Sequence, residues 1–367
     1  AVYAIHNFER HKRTFAVDIA DAYLRVLSQL DRIKNADANY HRLVVSVRLS
    51  RRFADAGRLS EIEVDQAVQD QLTAREGWIT AHQNYQNALD QFKITIGLPV
   101  DADIELDRGE LDRLAKLMTT VLANVGKDQT ITEPNLPADA PVTFEPPGWR
   151  NPGPLEIDST LAVRLALDNR LDLRNAQGQV YDAQRAVVVE ADKLRAKLNL
   201  GADTGAGIAV GNSDNDAEIR LDRARWTVPI TLDLPLERTA ERYNYRTSLI
   251  TLEQEIRNLG TLEDAIKQDI RSQLRNMLAT RETVQIQAQG VLVAETRVDS
   301  TGLFFEAGRI PIRDVLESQR SLLSAQNSLT SAVVSYRIAE LTLQQDMGLL
   351  KVDETGLWRE FNPEDIE

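Results

Sequence analysis

The chain has 367 residues, and 56 Asp and Glu against 43 Lys and Arg leave a formal charge of −13. So acidic a composition argues against a general nucleic-acid binder, which must neutralise phosphate. The absence of cysteine excludes disulfide frameworks, thiolate metal sites and thiol nucleophiles. Aromatic residues are only 5% and charged residues 27%, which fits long solvated helices better than two compact cores. No apolar run approaches the ~18 residues of a spanning helix, so a form that crosses a bilayer must be a closed β-barrel.

Residues 1–98 lack proline and carry apolar side chains at three- and four-residue spacing, which predicts helix. The first helix ends at Ala56-Gly57-Arg58, where the glycine's freedom at φ > 0 suits a C-cap. The second carries a heptad, Val64, Gln71, Trp78, Tyr85 and Phe92, beside a small-residue stripe of Ala67, Ala74, Ala81 and Ala88. Large and small residues alternating at this spacing predict a coiled-coil seam. The four histidines are His6, His11, His41 and His82; none is placed at the i,i+4 spacing of a shared metal, and they read as solvated.

Residues 99–154 form a linker, with seven of the 12 prolines between Pro134 and Pro154. Proline lacks the N–H and fixes φ, so this stretch is extended. Residues 155–196 return to helical spacing. Residues 197–236 do not: Trp226, Val228, Ile230, Leu232 and Leu234 alternate with Thr227, Pro229, Thr231, Asp233 and Pro235. A period of two predicts a strand with one apolar face, with Leu198 and Leu200 on a weaker partner strand and the Gly- and Asn/Asp-rich middle as the turn. GADTGAG (201–207) lacks the Gly-Lys-Ser/Thr ending of a phosphate loop. Residues 237–350 are a long helix, about 100 Å at 1.5 Å per residue from Arg238 to Glu306, and a second helix opened by Pro311 as its first residue. Residues 351–367 are a C-terminal tail.

The chain repeats itself. Adding 251 to a residue number takes Phe53 to Phe304, Ala56-Gly57-Arg58 to Ala307-Gly308-Arg309, Val64 to Val315, Tyr85 to Tyr336 and Gly97-Leu98 to Gly348-Leu349. Residues 1–98 thus repeat 252–349 without an insertion, as two tandem helical hairpins. The second copy carries the heptad Val315, Leu322, Leu329, Tyr336, Leu343 and Leu350 and the stripe Ser318, Ala325, Ala332 and Ala339. A helix, a β-hairpin and the start of the long helix precede the second copy. By the same register, roughly a hundred residues with a second β-hairpin are expected before Ala1.

Several stretches carry a family resemblance: LALDNRLDLRNAQGQVYDAQRAV (165–187), ITLDLPLERTAERYNYR (230–246) and FFEAGRIPIRDVLESQRSLLSAQNSL (304–329), followed by Tyr336 and Gly348-Leu349. A duplicated helix, β-hairpin, long helix, Ala-Gly-Arg turn and helix resembles the TolC-type outer-membrane efflux channels. The resemblance is weakest across 101–154. It implies a mainly α fold, a helical barrel extended into the periplasm, with β-hairpins of three protomers forming one transmembrane β-barrel. It further implies a homotrimer in the outer membrane of Gram-negative cells. Such a channel is a passive duct for efflux or type I secretion, served by a periplasmic adaptor and an inner-membrane pump. It is not an enzyme and needs no cofactor or metal.

The resemblance also assigns residues. The turns Gly57-Arg58 and Gly308-Arg309 match the periplasmic tips that meet the adaptor. Acids just beyond them, Asp314 and Glu317 with Glu63 in the first copy, match the gate; nine residues past Gly57 lies Gln66. Taken from the residues alone, these acids equally serve to complement a helix dipole. In the strand, Trp226, Val228, Ile230 and Leu232 are expected to face lipid, with Thr227, Thr231 and Asp233 toward the lumen; a soluble hairpin covering a helix is the other reading. The alternative for the whole chain is a soluble or periplasmic coiled-coil scaffold or adaptor.

Overall fold

The computed structural model describes residues 1–104, 106, 157–201, 203–205, 225–233, 237–353 and 358–359. The proline-rich linker between Pro134 and Pro154, the tip of the β-hairpin and Leu234 lie outside them. The chain forms two compact units, Ala1–Arg170 with Ile266–Glu367, and Leu171–Ala265.

The first unit holds the two hairpins. Helix α1 (Val2–Asp55) turns into α2 (Glu61–Thr95), α3 is Ser159–Asn169, and the end of α5 (Thr239–Glu306) turns into α6 (Ile312–Asp346). The ends of α1 and α5, and both ends of α2 and α6, differ by the same 251 residues that relate the sequence copies. Each of these four helices stops in the same way. At the tips, Gly57 and Gly308 take φ +71°, and Arg58 and Arg309 donate back to Phe53 and Phe304 carbonyls at 2.8 Å. At the opposite ends Gly97 and Gly348 take φ +76° and +72°, with Leu98 and Leu349 donating to Lys93 and Gln344. These paired six-to-one and five-to-two bonds satisfy carbonyls that the helix end would orphan.

Helix α6 packs on both α1 and α2. One cluster joins Val17, Ala20, Leu24 and Leu27 of α1 to Ala332, Val333 and Leu341 of α6. A second, under the tips, joins Leu43 and Val47 of α1, Ala67 of α2, Phe305 of α5 and Ile312, Val315 and Leu316 of α6. Helix α5 meets α6 through Val291, Ala294 and Leu322 and a Thr301–Ser318 hydroxyl bond of 2.9 Å. Each fully buried Leu or Ile contributes about 1.5–3 kcal/mol. Polar rungs set the α1–α6 register: Arg32 to Ser331 at 2.9 Å, Asn35 to Asn327 at 3.1 Å and Gln319 to Ser46 at 3.0 Å.

The heptad of the second copy is buried at Val315, Leu322, Leu343 and Leu350. That of the first is buried at Val64 and Phe92 but half-exposed at Gln71, Trp78 and Tyr85. Helix α6 lies between other helices, whereas α2 leaves one side open.

Three local expectations change. The helix expected across 155–196 is two, α3 and α4 (Leu171–Asp192), because Arg170 is extended at φ −72°, ψ 123°. Short polar side chains compete with the helix there: the Asn169 amide donates to the Leu165 carbonyl at 2.9 Å, and Asp172 accepts from the Leu173 N–H at 3.0 Å. Pro311 is the N-cap, extended at ψ 157°, rather than the first helical residue. Its partner by repeat, Ser60, caps α2 in a reciprocal box with Glu63. The tail begins with a small antiparallel ribbon, β5 (Lys351–Val352) with β6 (Trp358–Arg359).

The second unit holds α4, the β-hairpin and the first part of α5. Strand β1 (Lys197–Leu200) pairs with β4 (Ile230–Asp233), and β2 (Asp203–Gly205) with β3 (Arg225–Thr227), both antiparallel. The two ladders share one register, so the expected hairpin forms. The continuous strand expected from Trp226 is interrupted at Val228-Pro229, because proline has no N–H for the ladder. Its carbonyl still accepts from Gly201 at 3.0 Å.

Two predictions follow from the helix ends. A Cβ on Gly348 would stand 2.9 Å from the Asn169 carbonyl oxygen, whereas one on Gly97 meets nothing within 4 Å. Gly97→Ala should therefore cost about 1–2 kcal/mol for its left-handed backbone, and Gly348→Ala a further 1–3 kcal/mol or so for the overlap. Urea unfolding followed by circular dichroism measures both, and equal losses would remove any role for the close approach. The second concerns Asp158, the exposed N-cap of α3, whose carboxyl is held below its ordinary range by the Thr160 hydroxyl and then the Thr160 amide. A depressed carboxyl stabilises the fold fully above the unfolded value of about 3.9 and loses that contribution as pH falls through the folded value. Amide-exchange protection at the start of α3 should fall across this acid range, and Asp158→Asn should flatten the fall.

Candidate functional site

The two tips of the first unit come together. The Phe53 and Phe305 rings lie 5.4 Å apart, tilted by 51°. The Arg58 guanidinium stacks 4.8 Å from the Phe53 ring centre, within cation–π range, and its Nη2 would be 3.3 Å from a Cβ on Gly308. Glycine at 308 is thus required twice, for its φ and for the arginine beside it. Between the tips lies a cleft of about 310 Å³ lined by Arg58, Glu63, Gly308 and Arg309 among others. Gly57 is not part of that lining. Two arginines above a floor of Phe53, Phe305, Ile310 and Pro311 can receive a side chain that is apolar along its stem and acidic at its end.

The acids past the tips differ between the copies. The Glu63 carboxylate accepts from the Ser60 N–H at 3.1 Å and from the Ser60 hydroxyl at 2.9 Å, while the Glu63 N–H donates back at 3.4 Å. Its role in capping α2 is therefore visible. Asp314 occupies the equivalent place on α6, but Pro311 offers neither hydroxyl nor N–H, and the Asp314 amide donates to the Pro311 carbonyl at 3.2 Å. Glu317, one turn further, is exposed and lies 3.9 Å from Arg320. Arg320 also pairs with Asp70 of α2, whose carboxylate is only 7% exposed. Asp314 and Glu317 share α6; Glu63 sits on α2 in the cleft.

Sequence reasoning passed over three of these features. Ser60-Glu61-Ile62-Glu63 is a capping-box signature in its own right and was legible. The Arg320–Asp70 pair and the Phe53–Phe305 stack cross between hairpins and had no local signal; repeat equivalence matches Phe53 with Phe304 instead.

In the second unit, opposite residues of the hairpin share a face. Leu198 opposes Leu232 and Leu200 opposes Ile230, while Lys197 opposes Asp233 and Asn199 opposes Thr231. Trp226, opposite Thr204, falls on the even-numbered, apolar side. Leu198, Leu200, Val228, Ile230 and Leu232 are 58–72% exposed, an uncovered aliphatic face on a two-stranded ribbon. No helix among the described residues is long and apolar enough to cross a membrane, and that says nothing of strands.

Comparison with known proteins agrees with this architecture. The outer membrane protein TolC of Vibrio cholerae is 24% identical over 153 residues, 39% of this chain and 34% of that protein. The chain thus matches about a third of the length of that curated relative. Two solved structures share the fold at low identity. The Campylobacter jejuni CmeC outer membrane channel has a TM-score of 0.65 at 15% identity, over 95% of this chain and 65% of that one. The outer membrane protein VceC of Vibrio cholerae has a TM-score of 0.67 at 15% identity, over 95% of this chain and 72% of that one. The family model described as outer membrane efflux protein matches residues 162–349, just over half of the chain, and the chain belongs to that family.

Proposed function

We propose that the protein is the outer-membrane duct of a tripartite efflux or type I secretion system, homotrimeric and passive, with its helical hairpins in the periplasm. The observation that carries this reading is the hairpin's uncovered aliphatic face. Each aliphatic side chain held in water forgoes about 1.5–3 kcal/mol, and a lone two-stranded hairpin is marginal. Hydrocarbon on that face and a lumen on the face of Lys197, Asn199 and Thr231 suit both at once. One ribbon cannot close, so copies must join edge to edge. A soluble scaffold or adaptor would leave the face in water.

In this reading Trp226, Val228, Ile230 and Leu232 face lipid. The tips at Gly57-Arg58 and Gly308-Arg309 receive a periplasmic adaptor, itself joined to an inner-membrane pump. Asp314 and Glu317 form the gate. Copies of each acid around an axis crowd like charge, attract cations and oppose closure when ionised. Glu63 contributes less, because Ser60 holds its carboxylate.

Single-channel recording tests this with the complete gene product carrying this sequence, reconstituted in planar bilayers. Wild type should form pores blocked by multivalent cations from the tip side. Asp314→Ala/Glu317→Ala should weaken that block about tenfold or more, a loss of some 1.4 kcal/mol in ion binding, and Glu63→Ala should change it little. Pores indifferent to the double substitution would return both acids to helix capping. A product that stays soluble and forms no pores would overturn the duct.

A further inference from the structure

Two helix faces of the first unit remain uncovered, and they match one another. On α5, Ile286, Val293 and Phe304 are 62%, 67% and 47% exposed; on α2, Ile62, Leu72 and Ile79 are 81%, 59% and 44% exposed. Each set lies on a heptad stripe. The α5 stripe reads Ile286, Gly290, Val293, Arg297, Ser300, Phe304, and the α2 stripe reads Ile62, Asp65, Gln69, Leu72, Glu76, Ile79. Both are uncovered within one copy, so they do not cover each other there.

Helix α5 runs toward the tip and α2 away from it, so the two stripes would meet antiparallel. Phe304 then falls opposite Ile62, Val293 opposite Leu72 and Ile286 opposite Ile79, one register held to within a residue along the stripe. The residues between complement in charge: Arg297 is the ionisable side chain on the α5 stripe, and Asp65 and Glu76 are those on the α2 stripe. Gly290 falls opposite Glu76. A glycine inside an exposed helix weakens it, and a Cβ on Gly290 would meet nothing within 4 Å in the single copy. A neighbouring helix approaching closely at that point gives the glycine a use.

We propose that the α5 stripe of one copy seats on the α2 stripe of a second copy in this antiparallel register. Because the two surfaces differ, the contact is head-to-tail and repeats around a ring until it closes. This inference rests on the multi-copy duct described above and adds which helices meet and in what register.

The chain contains no cysteine, so introduced thiols are the only ones present. Leu72→Cys with Val293→Cys in the complete gene product, treated in membranes with a short bis-maleimide, should give covalent dimers and larger closed multimers on a denaturing gel. Leu72→Cys with Ile286→Cys, about 10 Å out of register at 1.5 Å per residue, should give little product, and each single variant none between these helices. Equal crosslinking of both pairs, or none in a sample that is multimeric by native mass measurement, would overturn this register and leave the duct standing. A wild type monomeric by native mass in lipid would overturn both.

Discussion

A helix of 68 residues cannot persist on its own hydrogen bonds, so the way α5 and its partners dispose of their apolar surface governs the rest of this molecule. Isolated helices owe little to propensity and most to packing. The hairpin is the shortest solution, folding a long helix back along a second one. The glycine turns at 57 and 308 make that reversal sharp, and the same backbone geometry at 97 and 348 ends the return helix. With both copies built this way, α6 becomes the helix that the others surround.

Duplication produces near-identical backbones with unequal burial. In α6 the heptad is largely inside, because α1, α2 and α5 approach it from different sides. In α2 the same heptad positions are half-open, and a further stripe is bare. Chemistry at the tips diverges with it. Ser60 ties Glu63 into a cap, whereas Pro311 leaves Asp314 without one. A single substitution at equivalent N-caps thus separates a structural acid from one whose carboxylate is left to other uses.

The β-hairpin poses the opposite problem from the helices. Its apolar face finds no cover among the described residues, and its alternation, maintained across the Pro229 interruption, puts every aliphatic side chain on that one face. Such a surface is unfavourable in water and favourable against hydrocarbon. Residues 162–349, the family-matched segment, contain this hairpin and the second helical copy, so the two features with most bearing on function lie in one stretch.

The sequence by itself determined the duplicated plan, the helix ends at Gly57, Gly97, Gly308 and Gly348, the seams and the alternating hairpin. These depend on local spacing and on residues with special backbone freedom, which a linear reading registers directly. The repeat register predicted the ends of four helices because both copies obey the same local rules. Only the tertiary structure decided which side of each helix stays bare, that Arg320 reaches Asp70, that Phe53 stacks on Phe305 rather than on its repeat equivalent, and that the helix breaks at Arg170. Those outcomes depend on which surfaces approach across hundreds of residues of chain. Burial and pairing energies arise only at that approach, so no window of sequence contains them.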